Sequence, residues 1–316
     1  MVHLRIVAPR DKAHAALALL EASDSVINVI HLHDVARKPD GDVILCDVAR
    51  EDASVVIGDL KDLSIHREGT IAVELVDTAI SHAADQAERH AAGTPADAVI
   101  WEELTARTSE DSTISATFLI FIVLAALIVS IGIYLNSAIL IVGGMIVGPE
   151  FGPIAGFCVA TVQRRTELAM RSLAALAVGF PLAIVSVYLS SVVFKATDIT
   201  PESFTAASHS LSETIANPDF FSAFVAFCAG VAGMLSLTTA KSGALIGVLI
   251  SVTTIPAAAN VGVSAAYADW DSFGGSLGQL GLNIASLLAA GIITLAVQRA
   301  LFNRRRALHE AQKAAS

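Results

Sequence analysis

Past position 114 the mixture of polar and apolar residues gives way to long apolar runs. Six follow one another: Ser115–Leu135, Ser137–Val162, Leu168–Phe194, Phe220–Thr239, Ser242–Tyr267 and Leu277–Leu301. A helix of about 20 residues crosses the hydrocarbon layer, so the pattern predicts six membrane spans over 114–302 and a short tail, 303–316. The Asn136-Ser137 connection between the first two runs is very tight, which makes them a helical hairpin.

Ahead of the spans, shorter periodicities alternate. Val2–Ala8, Val26–His33, Asp42–Val48 and Gly69–Asp77 read as strands. Asp11–Ala22 and Glu51–Leu63 carry helical spacing, and Pro39-Asp40-Gly41 is a turn signal. The order β-α-β-β-α-β predicts an α+β, ferredoxin-like domain over 1–77. A polar, helix-prone connector, 78–113, follows; Thr94-Pro95 suits a helix start, with a helix over 95–107. Its Trp101 suits either the headgroup level or a place against the soluble domain.

Loop charges orient the spans. Arg164, Arg165, Arg171, Lys241, Arg299 and Arg304–Arg306 fall on the face of the N-terminal domain. Asp198, Glu202, Glu213, Asp219, Asp269 and Asp271 fall on the other, where 203–216 can form a surface helix. By the positive-inside rule both termini are cytoplasmic and the membrane is the cytoplasmic (inner) one.

The second span is interrupted. Residues 143–156 read GGMIVGPEFGPIAG, placing Pro149, Pro153 and Glu150 among glycines Gly144, Gly148, Gly152 and Gly156, which share one helix face. Proline frees backbone polar groups, and in lipid those need a partner, as does a carboxylate. The fifth span has a matching break at Thr253, Thr254 and Pro256, with Asn260 beyond it. An offset near 104 superposes the two spans, Gly143 on Gly247, and maps spans one and three on four and six. The two halves then run in opposite directions, a 3+3 inverted repeat. Glu150 lies 13 residues after Ser137 and 14 before Arg164, so the break falls near mid-membrane. Glu150, Gly148, Pro149, Gly152, Pro153, Thr253, Thr254, Pro256, Asn260 and Asn283 of span six are the candidate residues for ion or substrate binding or gating. Asn260 and Asn283 serve equally well as glue between helices, and the glycines as close helix contacts. Pro181 is a kink in span three.

Composition narrows the choice. With 54% hydrophobic residues and a mean hydropathy of +0.65, the chain is too apolar for a soluble protein of 316 residues. Its net charge of −10 and lack of a basic patch exclude nucleic acid as a partner. No nucleophile–base pair, HExxH or phosphate-binding loop marks an enzyme, and no cofactor or metal is expected. Three cysteines, Cys46, Cys158 and Cys228, have no ligand spacing. His31 and His33 share a strand face and could bind a metal with His3 or His66, although solvated histidines suit the pattern as well.

The series VAREDA at 48–53, GTI at 69–71, GTPADAVIWEEL at 93–104 and NSAILIVGGMIVGPEFGPIAG at 136–156 resembles a bacterial and archaeal family of unassigned function, the "uncharacterised hydrophobic domain" proteins, in its actinobacterial form. The resemblance implies an integral membrane protein with a cytoplasmic N-terminal module and supplies no substrate. The function that the residues favour is a secondary transporter or channel-like protein for a small ion or polar solute, regulated or oligomerised by that module. The alternative is a membrane-anchored ligand sensor or scaffold. The bilayer and further copies of the chain, as a homo-oligomer, are the expected partners.

Overall fold

The structure is a computed structural model that describes residues 1–76, 78–91, 98–200, 212, 215–239 and 254–315. It divides into two compact units, one built on Met1–Leu104 and the other on Thr105–Leu237 with the helices after 253.

In the first unit, β1 (Val2–Ala8), α1 (Arg10–Glu21), β2 (Val26–Arg37), β3 (Asp40–Val48), α2 (Ala53–Asp62), the single turn α3 (Ile65–Glu68) and β4 (Thr70–Leu75) follow in chain order. The sheet order is β2-β3-β1-β4 with every neighbour antiparallel. This is the small antiparallel sheet that the split βαβ pattern calls for. Alternation decides its faces: Val2, Leu4, Ile6 and Ala8 are fully buried against Ala16, Leu20, Ile57 and Leu60, while His3 and Arg5 point to the opposite face. Each such buried Leu or Ile stabilises by about 1.5–3 kcal/mol. Strand β2 runs to Arg37, beyond the expected His33, because the hairpin turn sits at Lys38–Pro39. Bulges absorb the extra length, with Asn28 and Asp34 left-handed at φ 53° and 55°. Gly41 has φ 151°, and a Cβ there would strike the Ala8 carbonyl.

The connector supplies α4 (His82–His90) and α5 (Trp101–Asp111). Ser81 caps α4 by accepting the Ala83 N–H at 3.1 Å. Thr94 and Pro95 lie outside the described residues, and α5 extends four residues beyond the expected end at 107. Trp101 packs against the sheet domain: it is 3% exposed, and its backbone N–H donates to Ser54 Oγ at 3.1 Å. Ser54 in turn donates to Glu102, which also pairs with Lys61 at 2.8 Å.

Glu51 is buried, and among the described residues neither carboxylate oxygen has a hydrogen-bond partner on another residue. Burial pushes its carboxyl above the ordinary range, and Glu88 and Asp52 add to the push. A carboxyl whose folded value is raised favours folding below its unfolded value and loses that contribution as pH rises through the folded one. Glu51→Gln is therefore expected to stabilise this unit by about 1–2 kcal/mol at mildly alkaline pH and not at acidic pH. Urea unfolding followed by the fluorescence of buried Trp101 measures it.

The second unit is helical: α6 (Ala116–Tyr134), α7 (Ala138–Val147), α8 (Phe151–Gln163), α9 (Thr166–Ala196), α10 (Phe220–Thr238), α11 (Thr254–Ala266) and α12 (Trp270–Ala315). Ser115 caps α6 by accepting the Phe118 N–H at 3.1 Å. The α6–α7 turn forms as expected: Asn136 is left-handed at φ 49°, and the Ser137 N–H closes on the Gly132 carbonyl at 2.8 Å. Among the described residues α6, α9, α10 and α12 are each long and apolar enough to cross a membrane, and α7 with α8 makes a fifth candidate bent by 49°. Ile120, Leu124, Val193, Phe220 and Phe224 stay exposed on these helices, as a membrane-embedded bundle requires. The first half of the expected fifth span, 242–253, lies outside the described residues; its second half is α11, of which every residue from Thr254 to Ser264 is buried. Helix lengths and starts recur. The 19-residue α6 and α10 begin at 116 and 220, and α9 and α12 at 166 and 270.

Candidate functional site

The break in the second span forms because the chain there cannot continue a helix. Gly148 closes α7 with its N–H on the Gly144 carbonyl at 3.2 Å. Pro149 has no N–H to offer, and Glu150 becomes the N-cap of α8. Pro153 falls at the third position of α8, inside the first turn where a missing donor costs little. In α11, which is described from Thr254 onward, Pro256 is the third described residue.

The start of α8 meets the first described turn of α11. Thr254 Oγ1 donates to Glu150 Oε1 at 2.8 Å, between residues 104 positions apart. Glu150 is 2% exposed, and among the described residues its Oε2 has no hydrogen-bond partner on another residue. Oε2 lies over Gly148, where any Cβ would overlap it and would also meet Ile255 Cγ1 at 2.9 Å. Glycine at 148 is thus the condition for the carboxylate to fold back into the break. The N-terminal end of α8 carries partial positive charge, which favours a negative group beside it.

Helix lengths give the depth. From the Ser137 turn the ten residues of α7 reach the break after about 15 Å, and the 13 residues of α11 extend about 20 Å beyond Thr254. The far end of α11 is fixed by Tyr267, whose ring lies 6.3 Å from that of Tyr134 at the end of α6. After the break α8 bends away by 49° and runs beside α5.

That bend adds a feature invisible in the span pattern. A cleft of about 460 Å³ opens beside the break, lined by Arg107, Glu110 and Asp111 of the connector with Phe118, Pro149 and Gly152. Burial pushes the Asp111 carboxyl above its ordinary range, against the pull of Arg107. Gly152 admits Asp111, whose Cβ a residue-152 Cβ would meet at 2.7 Å. Of the expected set, Gly148, Glu150 and Thr254 meet at the break, Pro149 and Gly152 line the cleft, and Pro153 and Pro256 are buried in first turns. Thr253 lies outside the described residues. Asn260 sits further along α11 and is held by Ser212 at 2.9 Å and Ser276 at 2.8 Å, which makes it glue between segments. Asn283 accepts from Gln279 at 3.1 Å on α12. The four glycines keep close contacts, but the bend gives them separate neighbours: Val129, Ile255, Asp111 and Ser172. Only the polar character of Arg107, Glu110 and Asp111 just before the first span hinted at the cleft.

Residues 145–289, which include the break and α8 to α11, match a family described as a domain of unknown function, DUF389. An uncharacterised protein of the archaeon Methanocaldococcus jannaschii is 26% identical over 173 residues, covering 52% of this chain and 49% of that protein. The chain thus spans about half the length of the curated relative it matches. No solved structure matches. The matched segment and the archaeal relative bear out the resemblance to an uncharacterised membrane family.

Proposed function

We propose that the chain is a transporter or channel-like protein of the cytoplasmic membrane, which binds a small ion or polar solute at the break between α7 and α8. The observation that carries this reading is Glu150: a buried carboxylate at the start of α8, with one oxygen on Thr254 and the other without a partner among the described residues. A carboxylate costs several kcal/mol at that depth and is retained where a site needs it. The cleft beside Pro149 gives the site a polar approach from the connector. Basic loops put both termini in the cytoplasm.

In this reading the membrane part is six spans in two inverted halves. The recurrence of helix starts at an offset of 104 supports the repeat, as does the pairing of Glu150 with Thr254, its own counterpart. Residues beside a two-fold axis contact their own counterparts. A second sign of such an axis is that contacts recur in exchanged form. A Cβ on Gly291 would meet Cys158 Sγ at 2.7 Å, and one on Gly262 would meet Val187 Cβ at 2.8 Å; shifting 158 and 187 by 104 gives 262 and 291. The N-terminal unit acts as the regulatory or oligomerising module.

Purified protein in liposomes tests the function. Gradients of protons, sodium, potassium, chloride and phosphate, imposed one at a time, are expected to dissipate faster than in empty vesicles for at least one ion. Rates equal to those of empty vesicles for every ion and for a panel of amino acids and sugars contradict it.

A further inference from the structure

The N-terminal sheet brings together three side chains that the membrane site does not use. Register pairs His31 of β2 with Ile44 of β3. His31 and His33 rings then stand 5.8 Å apart over the start of β3. His31 Nε2 lies 2.7 Å and His33 Nδ1 3.0 Å from one oxygen of Asp42, Oδ2. The other oxygen accepts the Asp34 N–H at 2.9 Å. The residues named as partners by spacing alone are elsewhere: His3 is on the opposite sheet face, hydrogen-bonded to Asp47 at 2.7 Å, and His66 is exposed on α3.

We propose that His31, His33 and Asp42 bind one divalent transition-metal ion of the zinc class, with its remaining coordination positions open to solvent. Two imidazole nitrogens and a carboxylate oxygen, all within 4.8 Å of one another, are the donor set such ions take in three-ligand sites. The side chain of Asp42 is 3% exposed, while those of His31 and His33 are 33% and 77% exposed, so the carboxylate is fixed and the imidazoles remain reachable. The Asp34 amide and the two histidines hydrogen-bond the buried Asp42 carboxylate and fix its position. The Asp34 N–H acts as the outer hydrogen bond that aims a ligating carboxylate. Neighbouring Arg10 pairs with Asp34 and lies 3.7 Å from Asp40, which offsets its repulsion of a cation. In a tetrahedral site with bonds near 2.0–2.1 Å the ligand atoms stand about 3.3 Å apart, so the present contacts of 2.7 and 3.0 Å need only small ring movements. On binding, the metal displaces the imidazole protons now shared with Oδ2.

Tag-free full-length protein in detergent, stripped with a chelator and titrated with Co²⁺, is expected to develop visible d–d bands that saturate at one ion per chain and are displaced by Zn²⁺. His33→Ala, a change at an exposed position that leaves the core untouched, is expected to weaken binding at least about tenfold. Asp42→Asn is expected to abolish it, and His66→Ala to leave it unchanged. A spectrum in His31→Ala/His33→Ala indistinguishable from the wild type, or no saturable binding in the wild type, overturns the proposal.

Discussion

Glu150→Gln is expected to abolish ion or solute flux through reconstituted protein, a loss of more than about tenfold, while yield, size-exclusion profile and melting temperature stay at or above wild-type values. Glutamine keeps the volume of glutamate and an oxygen to accept the Thr254 hydroxyl, now at 2.8 Å. It removes the charge and the ability to exchange a proton. A carboxylate kept only for packing would behave differently, because its amide isostere would leave every function unchanged while relieving the cost of a buried charge. Thr254→Val separates the two roles further. It strips the carboxylate of its hydroxyl donor and is expected to cost about 1–3 kcal/mol of stability, the usual price of an orphaned buried polar group. Parallel flux and thermal-melt measurements on the two variants check both expectations.

Gly156→Leu is expected to prevent folding of the helical unit. A Cβ at 156 would overlap the Ser112 hydroxyl, come within 2.7 Å of Ser172 Oγ and stand 3.1 Å from the Thr108 carbonyl. Ser172 and Ser112 are themselves hydrogen-bonded at 2.9 Å, so the wall around the glycine is braced. Overpacking costs about 1–3 kcal/mol for extra methylenes alone, and here a polar pair would be broken as well. Gly143→Leu, only thirteen positions earlier, is the control, since a Cβ there meets nothing within 4 Å among the described residues. The first variant is expected to aggregate on extraction and the second to elute as the wild type does.

How far the sequence carries depends on which interactions set each feature. The strands, the α6–α7 turn and the two proline breaks are local: alternation, Asn136 and the prolines dictate them within a few residues. So is the position of Glu150. What sits across from Glu150 is a tertiary matter. Thr254 was in the expected set because of its own break, and nothing in spacing tells that its hydroxyl reaches the carboxylate. The connector shows the limit more sharply. Asp111 and Ser112 read as polar residues leading into a span, yet Gly152 and Gly156 let them lie against α8. A glycine marks a close approach without saying to what. The 49° bend at the break is likewise invisible to a residue count, which treats α8 as a straight continuation. Asn260 reads from its polarity equally as a lining residue or as glue between helices, and only the structure supplies its bonds to Ser212 and Ser276. In the sheet, His-x-His spacing was legible on β2, but Asp42 joins the pair through the β2–β3 register, and bulges in β2 hide that register from any count.

The central claim is that two halves of three spans each run in opposite directions, so that their breaks meet at Glu150 and Thr254. Inversion requires equivalent positions of the halves to face opposite sides of the membrane. Ala106, in α5 just before the first half, and Ser210, ahead of the second half in the sequence, are such a pair, 104 positions apart. Single cysteines at each, in a chain lacking Cys46, Cys158 and Cys228, can be labelled with a membrane-impermeant maleimide in sealed vesicles of known orientation. The account predicts that Ser210→Cys is labelled only from outside and Ala106→Cys only from the cytoplasmic side. Labelling of both from the same side would contradict it.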